Sequence, residues 1–147
     1  MKVEICAKRF TNAYIIEEDG KEVGKIVKSS VRLLKFSEVY VIEYKGEEWK
    51  LEKKMLSGEV IGDNLIIKRE KGSVNINGEP VKVNRKTKRS VIEYTFPDGN
   101  SVRIHLRAFL DDVLLLIKGR LLLGEIECKS AEDVKKLLAF FLLEQML

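Results

Sequence analysis

The densest run of chemistry-bearing side chains in this 147-residue sequence lies between Pro80 and Arg107. It holds Lys82, Arg85, Lys86, Lys88, Arg89, Arg103 and Arg107 against Glu93 and Asp98, a local charge of +5. The other residues carry 20 basic and 21 acidic groups, so the whole +4 excess originates in this one segment. In Val102–Arg107, the apolar Val102, Ile104 and Leu106 alternate with Arg103, His105 and Arg107. The two-residue period of a strand puts the basic set on one face, and the run from Val81 to Lys86 likewise turns Lys82 and Lys86 outward. Guanidinium groups grip phosphate oxygens two at a time, which suits lipid head groups or a nucleic-acid backbone. The candidate ligand-binding face is therefore Lys82, Arg85, Lys86, Arg103 and Arg107. The alternative reading of the same residues is a solvated strand face neutralised by nearby glutamates.

Other constellations carry less chemistry. His105 is the sole histidine, and Cys6 and Cys128 are the sole cysteines. Neither a histidine-rich metal site nor a zinc set can be assembled from them, so no metal and no cofactor are expected. A Ser/His/Asp triad would have to use His105, and no G-x-S-x-G elbow is present. No P-loop or G-x-G-x-x-G run points to a nucleotide, and no aromatic RNA-binding motif or helix-turn-helix points to base reading. Asp111-Asp112 reads as a turn pair, and Glu125 and Glu127 read as the wet face of a strand. The expectation is a protein that is not an enzyme.

The elements that would position these residues are mostly short strands. Alternating runs flank turn signals at Asp19-Gly20, Gly46, Asn77-Gly78, Pro97-Asp98-Gly99-Asn100 and Lys118-Gly119, the signature of successive hairpins. Pro80 belongs at a strand's first residue or on an edge. Val31–Phe36 fits either a short strand or a turn of helix. Val113–Ile117, apolar throughout, is expected to be a strand covered on both faces. Ser130 and Asp133 form a capping-box start to a helix over about 131–146, and Leu137 to Leu143 contains no polar side chain. A helix apolar all round is buried on most of its circumference. Trp49, Phe109, Phe140 and Phe141 read as core.

A chain of this length and a hydrophobic content of 45% support one domain spanning 1–147. About twelve strands in one open sheet would leave exposed edges. The expected fold is mainly β: an antiparallel, barrel-like meander of about twelve strands around a buried hydrophobic C-terminal helix. A helix laid across a strongly curled sheet or a sandwich is the other arrangement. Two unpaired cysteines and the absence of an apolar leader in MKVEICAKRF imply a reduced, cytoplasmic setting. Abundant Lys and Glu with few Gln suit a thermophile.

Tyr14-Ile15-Ile16-Glu17-Glu18-Asp19-Gly20-Lys21-Glu22-Val23-Gly24-Lys25-Ile26, followed by repeated hairpins and a closing apolar helix, resembles the tubby C-terminal-like superfamily. That superfamily includes the LURP-one-related proteins and the phospholipid scramblases. The resemblance implies a twelve-stranded barrel wrapped around a hydrophobic C-terminal helix, and an anionic lipid as partner. No residue of the tubby phosphoinositide pocket carries over, and the scramblases' cysteine- and proline-rich leaders are missing from this sequence. Together these readings give a non-enzymatic binding module for an anionic partner, phospholipid head groups first. A protein-interaction scaffold or a nucleic-acid-backbone binder are the alternatives.

Overall fold

The computed structural model describes residues 1–108 and 110–145. The strands are β1 (Lys2–Lys8), β2 (Tyr14–Glu18), β3 (Lys21–Arg32), β4 (Ser37–Tyr44), β5 (Glu47–Lys54), β6 (Glu59–Gly62) and β7 (Leu65–Glu70). They continue with β8 (Ser73–Ile76), β9 (Glu79–Val81), β10 (Asn84–Lys88), β11 (Val91–Thr95), β12 (Ser101–His105) and β13 (Arg120–Glu127). A short helix, α1 (Asp111–Lys118), precedes β13, and α2 (Ala131–Glu144) ends the fold. The ladders are antiparallel, and the order is β10-β11-β12-β13-β1-β2-β3-β4-β5-β6-β7-β8-β9.

The sheet is mainly a meander because its turns are tight. Asp19 and Gly20 both have positive φ, at 53° and 78°, as do Asn77 and Gly78, at 52° and 88°. That is the two-residue turn whose twist matches the right-handed twist of the flanking strands. The two edges of the sheet, β9 and β10, are consecutive in the chain and separated only by Lys82 and Val83. Val81 pairs with Val74 on one side, and Asn84 then pairs with Thr95 on the other. One extended run thus leaves β8 and joins β11. The ladder does not close there, but the curl brings its two ends together at a seam.

The core is inside the curl. Ile5, Ile16, Ile26, Ile42, Leu51, Ile67 and Ile126 are fully buried, and Leu137 to Leu143 of α2 are at most 2% exposed. The apolar helix is therefore enclosed, as its sequence requires. Phe140 meets Tyr94 and Phe96 edge-on, each with ring centroids 5.0 Å apart, a geometry that suits the ring quadrupoles. Gly124 lets α2 approach β13: a Cβ there would overlap the Phe141 ring and lie 2.8 Å from the Arg103 carbonyl oxygen.

Three expectations need correction. Val113–Ile117 is not a doubly covered strand but most of α1, which has no buried residue. Gly119 is not a hairpin turn but the left-handed cap of that helix, φ 77°, its N–H bonded to the Leu115 carbonyl. Aspartates before the apolar run and glycine after it are the ordinary helix start and stop signals, and they outweigh the apolar continuity that suggests a strand. Trp49 is half-buried, with Lys135 over its ring, rather than enclosed. Val31–Phe36 divides between the end of β3 and a 3-10 turn at Leu33–Lys35. Phe109 lies outside the described residues, as does the end of the helix expected to reach 146.

Candidate functional site

The five candidate basic residues do not form one face. Cross-strand register aligns Lys86, Glu93, Arg103 and Glu125 in one row over β10, β11, β12 and β13. Arg103 is gripped there by Glu93 at 2.7 Å and Glu125 at 3.5 Å, so its charge is answered on both sides. Arg107, beyond β12, pairs with Asp112 of α1 at 3.2 Å. Lys82 stands exposed in the link between β9 and β10. Arg85 has the opposite parity to Lys86: it aligns with the buried Tyr94 and lines a cavity at the seam. His105 is half-exposed at the end of β12, and its Nε2 is buried with no hydrogen-bond partner among the described residues.

A second arrangement is more pronounced. Because the strands alternate in direction, their connections fall into two rims. At one rim, called the N-rim, α2 begins beside the Pro97–Asn100 turn, with Asn100 Nδ2 donating to Asp133 at 3.2 Å. At the other, the C-rim, α2 ends: Arg69 donates to the Leu143 carbonyl at 2.9 Å and Lys53 to that of Gln145 at 3.1 Å. Cations at a helix C-terminus satisfy its last carbonyls and complement its dipole. The C-rim comprises the connections at 9–13, 33–36, 55–58, 71–72, 89–90 and 106–119.

Among the described residues, fourteen large apolar side chains are exposed, and all but Met1 and Ile66 lie at or beside the C-rim. Leu34 is 99% exposed, Phe10 91% and Leu56 80%. The loops that carry them are tied to one another. Met55 N–H bonds to the Phe36 carbonyl at 3.0 Å, joining the loops that carry Leu33, Leu34 and Leu56. Arg9 N–H bonds to the Gly119 carbonyl at 3.1 Å, and its guanidinium to that of Ile117 at 3.0 Å, fixing Phe10 beside α1. The apolar arc covers four successive connections, from β12–β13 through β5–β6. Its charge is also one-sided. The described C-rim connections carry Arg9, Lys35, Lys71, Arg89, Arg107 and Lys118 against Asp111 and Asp112, a balance of +4. Those at the N-rim carry Lys45 and Lys129 against Asp19, Asp63 and Asp98, a balance of −1.

The chain matches no family model, no curated protein and no solved structure.

Two further features bear on chemistry. On the outer face, Glu17 is 7% exposed and accepts from the Cys6 thiol at 3.1 Å and from Arg120 Nε at 2.9 Å, with Lys8 at 3.5 Å. Arg120 also reaches Glu4 at 2.7 Å. Burial alone would raise the Glu17 carboxyl, but the bonds from Cys6 and Arg120 hold it below the ordinary range. Burial and the neighbouring carboxylate push the Cys6 thiol up to about 12, so it is a donor that ties β1 to β2, not a nucleophile. Among the described residues, no three His, Cys, Asp or Glu side chains cluster to hold a metal ion, and no helix is long and apolar enough to cross a membrane.

The residues missed by sequence reasoning are those of the C-rim. Helix start and stop signals flank Val113–Ile117, and Arg32-Leu33-Leu34-Lys35 carries two leucines between cations in a stretch that fits either a short strand or a turn of helix. What sequence could not supply is that the loops bearing these residues open at the same end.

Proposed function

We propose that this chain is a non-enzymatic module that docks its C-rim on an anionic lipid surface. The observation supporting this reading is the collection of nearly all exposed large apolar side chains on one rim, within a surplus of cations. Monomeric proteins rarely gather exposed apolar side chains in one region without a contact to make. A bilayer interface accepts apolar tips and attracts Lys and Arg, each contributing about 1 kcal/mol near an anionic leaflet. Leu33, Leu34, Phe10 and Leu56 would enter the interface, while Arg9, Lys35 and Lys118 would lie at head-group depth. The reading keeps the anionic lipid partner and moves the contact from the strand face to the rim, because Arg103 and Arg107 are already paired. Kinship with the tubby-like proteins is part of the same proposal, supported by a curled sheet that encloses a C-terminal apolar helix.

Flotation with vesicles tests this. Binding is expected with vesicles containing phosphatidylserine, weaker with phosphatidylcholine alone, and reduced by high salt as surface charge is screened. Equal partitioning into both, or none into either, would overturn it. A nucleic-acid backbone binder would show the salt dependence with DNA and none with vesicles.

A further inference from the structure

Where the chain leaves β8 for β11, the wall of the curl parts into a cavity of about 370 Å³ that reaches Phe140 of the central helix. This volume is at the small end of ligand sites. Its interior is apolar, formed by Val74, Val83, Ile92 and Phe140, with the Tyr94 ring alongside. Two guanidinium groups stand at its edge, and they differ in kind. Arg69 is committed, bonded to Glu144 at 3.0 Å and to the Leu143 carbonyl at 2.9 Å. Glu144 is in turn held by the Tyr94 hydroxyl at 3.2 Å. Arg85 lies within hydrogen-bonding reach of the Tyr94 hydroxyl and has no carboxylate partner among the described residues.

We propose that the seam cavity binds a single-chain anionic amphiphile of the fatty-acid class, its tail against Val83, Ile92 and Phe140 and its carboxylate on Arg85. Charge complementarity decides the head group. One guanidinium without a carboxylate partner offers a planar pair of donors to one carboxylate. A phosphate monoester would bring close to two charges toward a site already edged by Glu70 and Glu144. A short acid such as acetate would leave the apolar interior unfilled, and an alcohol would leave Arg85 unanswered. The site is distinct from the apolar arc: it takes Gly72 from the C-rim connections but none of Phe10, Leu33, Leu34 or Leu56.

Calorimetric titration with decanoate, below its micelle concentration and without vesicles, tests it. One decanoate per chain is expected, with decanol and acetate each weaker by about tenfold or more. Arg85→Gln should weaken decanoate about tenfold and leave decanol unchanged, and Val83→Trp should abolish both. On the unaltered protein, decanoate should shift the NMR signals of Val74, Val83 and Ile92 and spare Leu33, Leu34 and Leu56; this locates the site even if Val83→Trp does not fold. No decanoate binding, equal affinity for decanoate and decanol, or shifts confined to the rim leucines would each overturn the proposal. Decanoate binding without vesicle binding would sink the membrane reading alone, and the reverse would sink this one alone.

Discussion

Leu34→Asp is the most discriminating single change at the C-rim. Leu34 is 99% exposed at the tip of the β3–β4 connection, so its removal deletes no internal contact. Surface changes of this kind move folding stability by no more than about 0.5 kcal/mol. On a lipid surface the same side chain would lose the transfer energy of a leucine, about 2 kcal/mol. The added carboxylate would oppose an anionic leaflet by about 1 kcal/mol more. The sum is about 3 kcal/mol, or roughly a hundredfold in the vesicle partition coefficient at 1.4 kcal/mol per decade. Ile66→Asp is the control away from the rim, since Ile66 is a 49% exposed apolar residue within β7. Co-sedimentation with phosphatidylserine-containing vesicles should show the loss for Leu34→Asp only, with melting temperatures preserved. Binding by Leu34→Asp within twofold of the unaltered protein would refute the reasoning, as would an equal loss for Ile66→Asp.

Other expectations concern the framework that holds the rim. Phe140→Ala removes a fully buried ring and two edge-on aromatic contacts. It should destabilise by about 3–5 kcal/mol and lower Tm by roughly 10 °C in scanning calorimetry; a change below about 1 kcal/mol would deny that α2 is the core. Gly124→Ala should destabilise by about 1–3 kcal/mol because its Cβ overlaps Phe141, and by less in a Phe141→Leu background, a coupling that a double-mutant cycle reads. Acid should weaken the fold through Glu17 and Glu38. Burial opposes ionisation of both, but Cys6 and Arg120 at Glu17, and Lys28 and Tyr40 at Glu38, bring their carboxyls below 4.5. They bind fewer protons folded than unfolded, so their stabilisation is complete above about pH 4.5 and is lost as pH falls through the lowered values. Urea melts from pH 7 to pH 3 should show a shallower decline for Glu17→Gln; an unchanged slope would remove Glu17 from the account.

The parts of the fold legible in sequence were those set by local chemistry. Asp19-Gly20 and Asn77-Gly78 demand left-handed turns whatever surrounds them, and Leu137–Leu143 demands enclosure. Val113–Ile117 was misread because an apolar run of five fits a buried strand or an exposed helix equally. Only its flanking Asp111-Asp112 and Gly119 separate the two. The basic face was less legible. Period-two parity alone puts Arg85 opposite Lys86, but neutralisation of Arg103 by Glu125 depends on β12 lying beside β13, a long-range register no local pattern encodes. The C-rim depends on the same information. Leu34, Leu56, Phe10 and Ile117 are far apart in sequence and meet on one rim only because each hairpin reverses direction.

The most direct test of the docking claim is a depth measurement on single-cysteine labels. Cys6 and Cys128 are buried, so an environment-sensitive fluorophore can be attached through Leu34→Cys at the C-rim or Asp63→Cys at the N-rim. With anionic vesicles containing brominated lipids, the label at 34 should be quenched and blue-shifted and the label at 63 unaffected. Equal quenching at both positions, or quenching at 63 alone, would contradict the account.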